Sequence, residues 1–147
     1  MDREFSTLSG QNVERFAPLY VAVFNEPPWR DGWSLPVATE RLQSFARDPQ
    51  FRGLGVLQAN NPIGLVLGCG ERWSTGWVFH LKEMCVATAY QGCGIGNTTL
   101  SQLEAMLKLS NFTGIHLQTG RSAPARKFYE AAGYSEYGNV PLRKQLA

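Results

Sequence analysis

The sequence contains few charged residues. Only 18% of its 147 residues are charged, the formal net charge is +2, and no block of lysines or arginines occurs. Nucleic-acid-binding proteins need a basic patch or stripe, so we do not expect this chain to bind nucleic acid. An anionic ligand could still be held by main-chain amides and one or two arginines. Because 44% of the residues are hydrophobic, the composition is that of a folded protein rather than a disordered segment.

Cysteines and long apolar runs are also scarce. The three cysteines, Cys69, Cys85 and Cys93, are an odd number and form no Cys-x-x-Cys pair, so a disulfide framework is not expected. No apolar run approaches the roughly 20 residues of a membrane span, and residues 1–4 lack the apolar stretch of a signal peptide. We therefore predict a cytoplasmic protein with reduced thiols, and we expect neither a membrane partner nor a bound metal.

The chain contains no internal repeat, no low-complexity segment and no Ser/Gly linker. Its length lies in the range of roughly 100–150 residues that is commonest for one domain. We therefore predict a single domain over residues 1–147.

The N-terminal half shows helical spacing of its apolar residues. A short strand over residues 3–8 is followed by helical spacing from Val13 to Phe24, where Pro18 must kink or delay the helix. Residues 25–33 contain two prolines and a glycine, which predicts a loop. Ser34 is typical of an N-cap, with a proline in the first turn of the helix that follows. The apolar face of that second helix comprises Leu35, Ala38, Leu42, Phe45 and Ala46.

From residue 53 the period changes to two, which is typical of strands. The pattern predicts strands over 55–58, 63–70 and 77–86, with a turn at 60–62. The alternation of the third strand changes phase part-way, and one inserted residue has that effect. We therefore predict a β-bulge near residues 82–85. The apolar residues that show the change are Trp77, Phe79 and Leu81 at odd positions, then Met84 and Val86 at even positions.

The C-terminal part alternates helix and strand. Apolar spacing predicts a helix over residues 95–109 and a strand over 115–119. Ser122 would cap a helix that runs to Ala132, and Gly133 would follow it as a C′ residue. Segments 134–137 and 140–142 would close the sheet. Strands and helices mixed in this way predict an α/β, or mixed α+β, fold.

Glycines alternate with other residues where the third strand gives way to a helix. Gly92, Gly94 and Gly96 stand at this point. A helix N-terminus has unpaired N–H groups and a partial positive charge, and glycines allow close approach to an anion. The segment therefore predicts a phosphate site. It is not a dinucleotide fingerprint, because Asn97 replaces the third glycine, and no Gly-Lys-Ser/Thr follows as in a P-loop. A helix-start loop that binds nothing is the alternative.

Two motifs in this order resemble the GNAT superfamily of N-acetyltransferases. Residues 91–96, Gln-Gly-Cys-Gly-Ile-Gly, match the family signature Gln/Arg-x-x-Gly-x-Gly/Ala, and Val86 stands where the family ends its fourth strand. Residues 122–134 resemble the motif Asn-x-x-Ala-x-x-Phe-Tyr-x-x-x-Gly-Phe, with Ser122 for Asn and Tyr134 for the last Phe. The resemblance covers residues 76–137 well. It implies a mostly antiparallel sheet whose fourth and fifth strands splay apart, flanked by helices.

The resemblance also implies that acetyl-CoA is the cosubstrate. Main-chain groups from Met84 to Val86 would pair with the pantetheine arm, and amides from Gln91 onward would hold the pyrophosphate. Residues of the second motif would add contacts. The cofactor-binding residues expected in this way are Met84, Cys85, Val86, Gln91, Gly92, Cys93, Gly94, Ile95, Gly96, Asn97, Ser122, Arg126 and Tyr129.

By the same resemblance, Tyr129 is the general acid near the sulfur of CoA. The alternative for Tyr129 is an amphipathic core residue. Glu83 could accept the proton of the amine, directly or through water, or it could be a solvated strand carboxylate. Gln118 occupies a position where some relatives carry a base glutamate, and glutamine cannot do that work. His80 and His116 could serve instead, although a lone histidine on a strand is more often structural.

Two further candidate roles are open. Cys93 lies at a helix N-terminus, where a thiol pKa can be lowered, so a nucleophilic role is conceivable, although no partner is visible. The acceptor site is expected in the N-terminal half, with Glu26 and Asp31 attracting a cationic amine. Its aromatic side chains would come from Phe24, Trp29, Trp33, Trp73 and Trp77, residues that in general more often form core.

The sequence thus predicts an N-acetyltransferase that moves an acetyl group from acetyl-CoA to a primary amine of a small molecule or peptide by direct transfer. The resemblance also implies a homodimer. A non-catalytic acyl-CoA-binding module of the same fold is one alternative. An unrelated nucleotide-binding domain is the other.

Overall fold

The computed structural model describes residues 3–147, which form two compact units, residues up to Leu117 and residues Gln118–Ala147. The first unit contains the sheet. Its strands are β1 (Arg3–Thr7), β2 (Phe51–Gln58), β3 (Asn61–Trp73), β4 (Gly76–Val86) and β5 (Phe112–His116), and its helices are α1 (Ala17–Phe24), α2 (Leu35–Ala46) and α3 (Ile95–Leu109). Short 3-10 helices cover Val13–Phe16 and Thr88–Tyr90.

The five strands lie in chain order, β1-β2-β3-β4-β5. The first three pairings are antiparallel and β4–β5 is parallel. Helices α1 and α2 pack on one face of the sheet, where Tyr20, Leu42 and Leu65 share a buried cluster. The α3 residue Ile95 packs with Val56 and Ile63, which belong to the opposite face because neighbouring strand residues alternate. This confirms the predicted mixed α/β fold.

The predicted bulge is present in β4. Leu67 pairs with Glu83 but Gly68 pairs with Leu81, so Lys82 is the extra residue. The insertion reverses the alternation of β4. Beyond it, Cys85 joins the cluster under α1 and α2, and Val86 packs with Ile95. Glu83, two residues before Cys85, therefore faces α1 and α2.

Several predicted boundaries are confirmed and others need correction. Pro18 lies in the first turn of α1, so the helix is delayed as expected. Ser34 caps α2, its hydroxyl accepting from the N–H of Val37 at 3.4 Å, but Leu35 is half exposed and not part of the apolar face. The β2–β3 turn is at Ala59–Asn60, both with positive φ, so Asn61 and Pro62 already belong to β3.

The second unit contains α4 (Pro124–Ala131), with Gly133 at a φ of +97° after it, as predicted for a C′ residue. Ser122 does not cap this helix. Pro124 takes the first helical position, a site that favours proline, and this makes Ala123 the N-cap. The predicted strands over 134–137 and 140–142 are also wrong, since the described residues after α4 form neither helix nor strand. The predicted strand 115–119 instead spans Phe112–His116.

Candidate functional site

The glycine-rich segment connects β4 to α3 through left-handed backbone. Gly92 has a φ of +78° and Gly94, the N-cap of α3, a φ of +81°. A Cβ atom added at either glycine would meet nothing within 4 Å. Glycine is therefore favoured here by the backbone conformation and not by lack of space.

This conformation leaves a row of donors unpaired. The first helical hydrogen bond of α3 runs from Thr98 N to Gly94 O. Within residues 3–147, none of the six N–H groups from Gly92 to Asn97 donates to a protein acceptor. These groups lie at the positive end of a 15-residue helix, which is a favourable environment for a phosphate or another anion.

Gln91 has a different structural role from the residues that follow it, because its own donors are paired within the protein. Its N–H donates to Thr88 O at 3.3 Å, so the row of unpaired donors begins at Gly92. Its side-chain Nε2 donates to Val86 O at 3.0 Å. Gln91 therefore ties the start of the segment back to the end of β4.

β4 extends beyond its pairing with β5. The pairing runs from Trp77–Phe112 to His80–His116, and among the described residues no β5 partner faces Leu81–Val86. This is the divergence of the fourth and fifth strands that was predicted. A strand edge of this kind can pair with an added extended segment. Met84, Cys85 and Val86 all lie in it, although the Cys85 thiol itself is buried in the core, and burial raises its pKa.

Glu83 is a buried carboxylate, 7% exposed, and not a solvated strand residue. Arg41 of α2 donates to its Oε1 from both Nε, at 2.8 Å, and Nη2, at 2.6 Å. The hydroxyl of Tyr20 on α1 lies close enough to this carboxylate for each group to affect the pKa of the other. The guanidinium of Arg41 lies 5.5 Å from the ring centre of Trp33 and 5.0 Å from that of Phe45.

These surroundings set the protonation behaviour of Glu83. Burial raises the pKa of the Glu83 carboxyl, since the charged form loses hydration. Hydrogen bonds and the positive charge of Arg41 oppose this rise, as does the Tyr20 hydroxyl, and the charge of Asp31 adds to it. The pKa of Glu83 is therefore raised above its usual value. Burial and the neighbouring carboxylate also raise the pKa of Tyr20, so its hydroxyl keeps its proton at neutral pH.

Aromatic residues of the segment between α1 and α2 lie next to this carboxylate. Tyr20 is in edge contact with Trp33 at 5.2 Å, and Phe24 with Trp29 at 5.3 Å. Asn25 fixes Trp33 through two hydrogen bonds with its main chain, and the Trp33 Nε1 donates to Asp31 Oδ2 at 3.1 Å. The predicted acceptor residues Phe24, Trp29, Trp33 and Asp31 are therefore brought together.

Glu26 and the other two predicted tryptophans lie elsewhere in this unit. Glu26 accepts from the Thr88 hydroxyl at 3.1 Å, just before the glycine-rich segment. Trp73 ends β3 and Trp77 is near the start of β4. At about 3.3 Å per strand residue, Trp77 is about 30 Å from Val86. Trp73 and Trp77 thus lie toward the opposite end of β4 from Glu83, and their contact with an acceptor stays a prediction.

Ser122, Arg126 and Tyr129 belong to the second unit. Arg126 forms ion pairs with Glu130, at 3.3 Å, and with Glu136, at 2.9 Å. Tyr129 is the buried residue of α4, and its ring contacts the rings of Phe128 and Tyr134 at 5.1 and 5.7 Å. The expected roles of these residues toward a cofactor stay predictions.

The remaining candidates differ in their surroundings. The Nε2 of His80 lies 2.5 Å from Glu71 Oε1, and its ring is 5.6 Å from that of His116. Cys93 is exposed, and its thiol lies 3.8 Å from Gln91 O. Within residues 3–147, no group of three or more His, Cys, Asp or Glu residues is placed to hold a metal ion. No helix in the same range has both the length and the apolar character needed to cross a membrane.

Sequence reasoning did not identify Tyr20 and Arg41 as site residues. Tyr20 belongs to the helical spacing of apolar residues from Val13 to Phe24, and that spacing predicts a helix but no role in a site. Arg41 lies three residues after Ala38 and next to Leu42, which is helical spacing for the buried face of α2. A charged residue at a core-facing position requires a buried partner, and this was the available signal.

The matching family model is the Acetyltransferase (GNAT) family, over residues 19–134. No curated protein matches the sequence. Among solved structures, an aminoglycoside acetyltransferase from an uncultured soil metagenomic sample, in complex with sisomicin, has a TM-score of 0.82 at 18% identity, covering 99% of this chain and 97% of that one. A ribosomal-protein-alanine N-acetyltransferase from Brucella melitensis biovar Abortus 2308 has a TM-score of 0.75 at 17% identity, covering 98% and 100%. AAC(6')-Iy, in complex with a bisubstrate analogue of CoA, has a TM-score of 0.78 at 11% identity, covering 100% of both chains.

At these identities the structural likenesses show the fold, whereas the family match covers most of the chain and includes the glycine-rich segment. The family uses acetyl-CoA as its acyl donor. The chain therefore belongs to the GNAT acetyltransferase family and is an acyltransferase enzyme.

Proposed function

We propose that this enzyme transfers an acetyl group from acetyl-CoA directly to a primary amine of a small molecule or peptide. The observation that carries the proposal is the row of six unpaired N–H groups from Gly92 to Asn97 at the start of α3. A pyrophosphate is the kind of ligand that such a row binds. We also propose that residues 1–147 act as one catalytic domain, since the family match runs through both compact units.

A second part of the chain, the end of β4, is also suited to bind the cosubstrate. The free stretch of β4 at Met84–Val86 can pair with the pantetheine arm as an added strand would. Ser122 and Arg126 would add contacts from the second unit. Bound acetyl-CoA supplies an activated thioester, so the tasks left to the protein are to hold it, to deprotonate the amine and to protonate the leaving thiolate.

Glu83 is the proposed general base. An efficient base at neutral pH has a pKa near that pH, and burial moves the Glu83 pKa upward, toward this range. Its carboxylate would take a proton from the acceptor nitrogen, directly or through water, as the nitrogen forms its bond to the acetyl carbon. Tyr129 is the proposed general acid. A tyrosine titrates near 10, so its hydroxyl keeps a proton that it can give to the sulfur.

The acceptor would bind next to Glu83, between α1 and α2. The aromatic side chains of Phe24, Trp29 and Trp33 offer contact area there, and Asp31 adds negative charge. A cationic amine is attracted both by a carboxylate and by aromatic faces. The structural neighbours support amine acceptors of two kinds, since one is an aminoglycoside acetyltransferase and another a ribosomal-protein-alanine N-acetyltransferase.

A panel of amines tests this proposal. The wild type is incubated with acetyl-CoA and single amines, among them polyamines, aminoglycosides and peptides with a free N-terminus, and the release of CoA thiol is recorded. We expect at least one amine to give turnover. With that amine, Glu83→Gln should lower kcat by about 100-fold or more, because general base catalysis contributes about 10²–10⁴-fold.

Glu71→Gln is the matched control, since Glu71 is a carboxylate of the neighbouring strand that is more than half exposed. It should leave kcat within about 2-fold. A Glu83→Gln enzyme as active as this control would exclude Glu83 as the base. Thiol release with hydroxyl or thiol acceptors but with no amine would contradict the proposed acceptor class.

A further inference from the structure

Arg41 is the one cation hydrogen-bonded to Glu83 among the described residues, and its side chain, although 40% exposed, also contacts two aromatic rings. Its guanidinium lies over the rings of Trp33 and Phe45. Such stacking fixes the plane of a guanidinium and with it the direction of its N–H groups. Arg41 is therefore oriented before any substrate binds.

The hydrogen bonds between Arg41 and Glu83 also have a defined geometry. Nε and Nη2 both donate to the same oxygen, Oε1 of Glu83. Neither bond uses Oε2, so Arg41 orients the carboxylate without occupying both of its oxygens. The Tyr20 hydroxyl of α1 lies near the same carboxylate and affects its pKa. The result is a strand carboxylate that is held from helix α2 through one of its two oxygens.

The charge balance around Glu83 depends on Arg41. The titratable or charged groups that face Glu83 are Tyr20 on α1, Arg41 on α2, Asp31 in the segment between them and Cys85 on β4. Of these only Arg41 is positive, since Tyr20 and Cys85 are neutral at neutral pH and Asp31 is negative. Arg41 is therefore the positive charge in this group that opposes the burial of Glu83 and the charge of Asp31, and the neutral Tyr20 hydroxyl adds to its effect.

We propose that Arg41 is a positioning residue for the acetyl-transfer reaction: it keeps the Glu83 carboxylate charged and turned so that one oxygen serves the incoming amine. The inference rests on the proposed role of Glu83 as base. It assigns to α2 a part in catalysis through a residue that need not touch either substrate.

The test compares Arg41→Gln and Arg41→Lys by the pH dependence of kcat/KM with one amine. A nearby opposite charge lowers a carboxyl pKa by about 1–3 units. Without the charge of Arg41, the pKa of Glu83 rises further, so the pH at which activity appears moves upward. Below that pH, Arg41→Gln should have kcat/KM lowered by about 10-fold or more, with only partial recovery at higher pH, because the orientation of the carboxylate is lost as well.

Arg41→Lys separates charge from orientation. It keeps the positive charge but cannot donate twice to one oxygen, so its pH profile should stay close to that of the wild type while kcat falls at every pH. Arg47→Gln, at the exposed end of the same helix, should change neither quantity. Because the amine is the same throughout, its own ionisation cancels in the comparison.

A second measurement does not depend on activity. Carbon-13 NMR of labelled glutamate, with the Glu83 signal assigned by its loss in Glu83→Gln, follows the carboxyl titration directly. We expect the Glu83 midpoint to move upward in Arg41→Gln. An unmoved midpoint, or a kcat/KM lowered by one constant factor at every pH, would overturn the inference while leaving Glu83 as base. If Glu83→Gln kept full activity, both the proposed role of Glu83 as base and this inference about Arg41 would be contradicted.

Discussion

At the scale of single residues, Glu83 combines burial with a charged partner. Removing one member of a buried ion pair is strongly destabilising, because the other charge then lacks a partner. The half-exposed position of Arg41 moderates this cost, since water still reaches the guanidinium. A carboxylate in this setting can gain and lose a proton without unfolding its surroundings, which is what a general base requires.

Tyr129 gives a residue-scale prediction. Tyr129→Phe retains the ring contacts with Phe128 and Tyr134 and removes only the hydroxyl. We expect kcat to fall by about 100-fold, with the Kd for acetyl-CoA within about 2-fold of the wild type. Steady-state kinetics and calorimetric titration measure the two quantities.

Tyr137→Phe is the control for that substitution, because Tyr137 is a half-exposed tyrosine of the same unit. Its kinetic constants should match those of the wild type. If Tyr129→Phe also matched the wild type, Tyr129 would be a core residue of α4 and another group would protonate the thiolate.

At the scale of elements, the bulge at Lys82 decides which face of the sheet receives Glu83. In an uninterrupted strand, Glu83 would share a face with Phe79 and Leu81, which pair with Gly70 and Gly68. The inserted residue turns Glu83 to the side of α1 and α2 instead. The sequence showed this insertion because apolar residues change phase along β4, whereas it gave no sign of what lies opposite.

Gly68 allows this bulge to pack. A Cβ atom at Gly68 would lie 2.0 Å from His80 O and 2.8 Å from the Phe79 ring. Since the nearer atom is main chain, the sheet itself would have to shift. We expect Gly68→Ala to lower the free energy of unfolding by about 1–3 kcal/mol, the usual cost of overpacking.

Chemical denaturation of Gly68→Ala and of the control Gly114→Ala measures this effect. Gly114 is also a strand glycine, but a Cβ atom there would meet nothing within 4 Å. Its stability should stay within about 0.5 kcal/mol of the wild type, as for most surface changes. Equal stability of both variants would show that β4 adjusts freely at the bulge.

At the scale of the whole molecule, ligand binding should appear as added stability. A ligand that binds only the folded state at 100 times its Kd adds about 2.7 kcal/mol. We expect acetyl-CoA to raise Tm, and Gly94→Ala to reduce that rise, because alanine is disfavoured at a φ of +81° and the donors of α3 would move.

Gly133→Ala is matched to Gly94→Ala, since Gly133 also has a positive φ and open space around it. Both variants carry similar backbone strain, so only a role in binding makes their ligand-induced shifts differ. Equal shifts in the two variants would remove the glycine-rich segment from the binding site. A rise in Tm with ATP or NAD as large as that with acetyl-CoA would instead favour a general nucleotide site.

The sequence by itself determined the features that depend on neighbours along the chain. The glycines at 92 and 94, the start of α3 at Ile95 and the phase change in β4 are local, because backbone conformation and side-chain alternation are set within a few residues. The same local reasoning failed for Ser122, where Pro124 sets the helix start, and for 134–142, where alternation alone does not supply the partner that a strand needs.

Only the tertiary structure decided the surroundings of Glu83. Tyr20, Arg41 and Glu83 come from two helices and a strand, and residues 41 and 83 are far apart in sequence. Whether a carboxylate is solvated or buried, and which cation it meets, depends on how those elements pack across the sheet. No pattern within β4 carries that information, so the proposed base and its proposed positioning residue could be recognised together only in the folded protein.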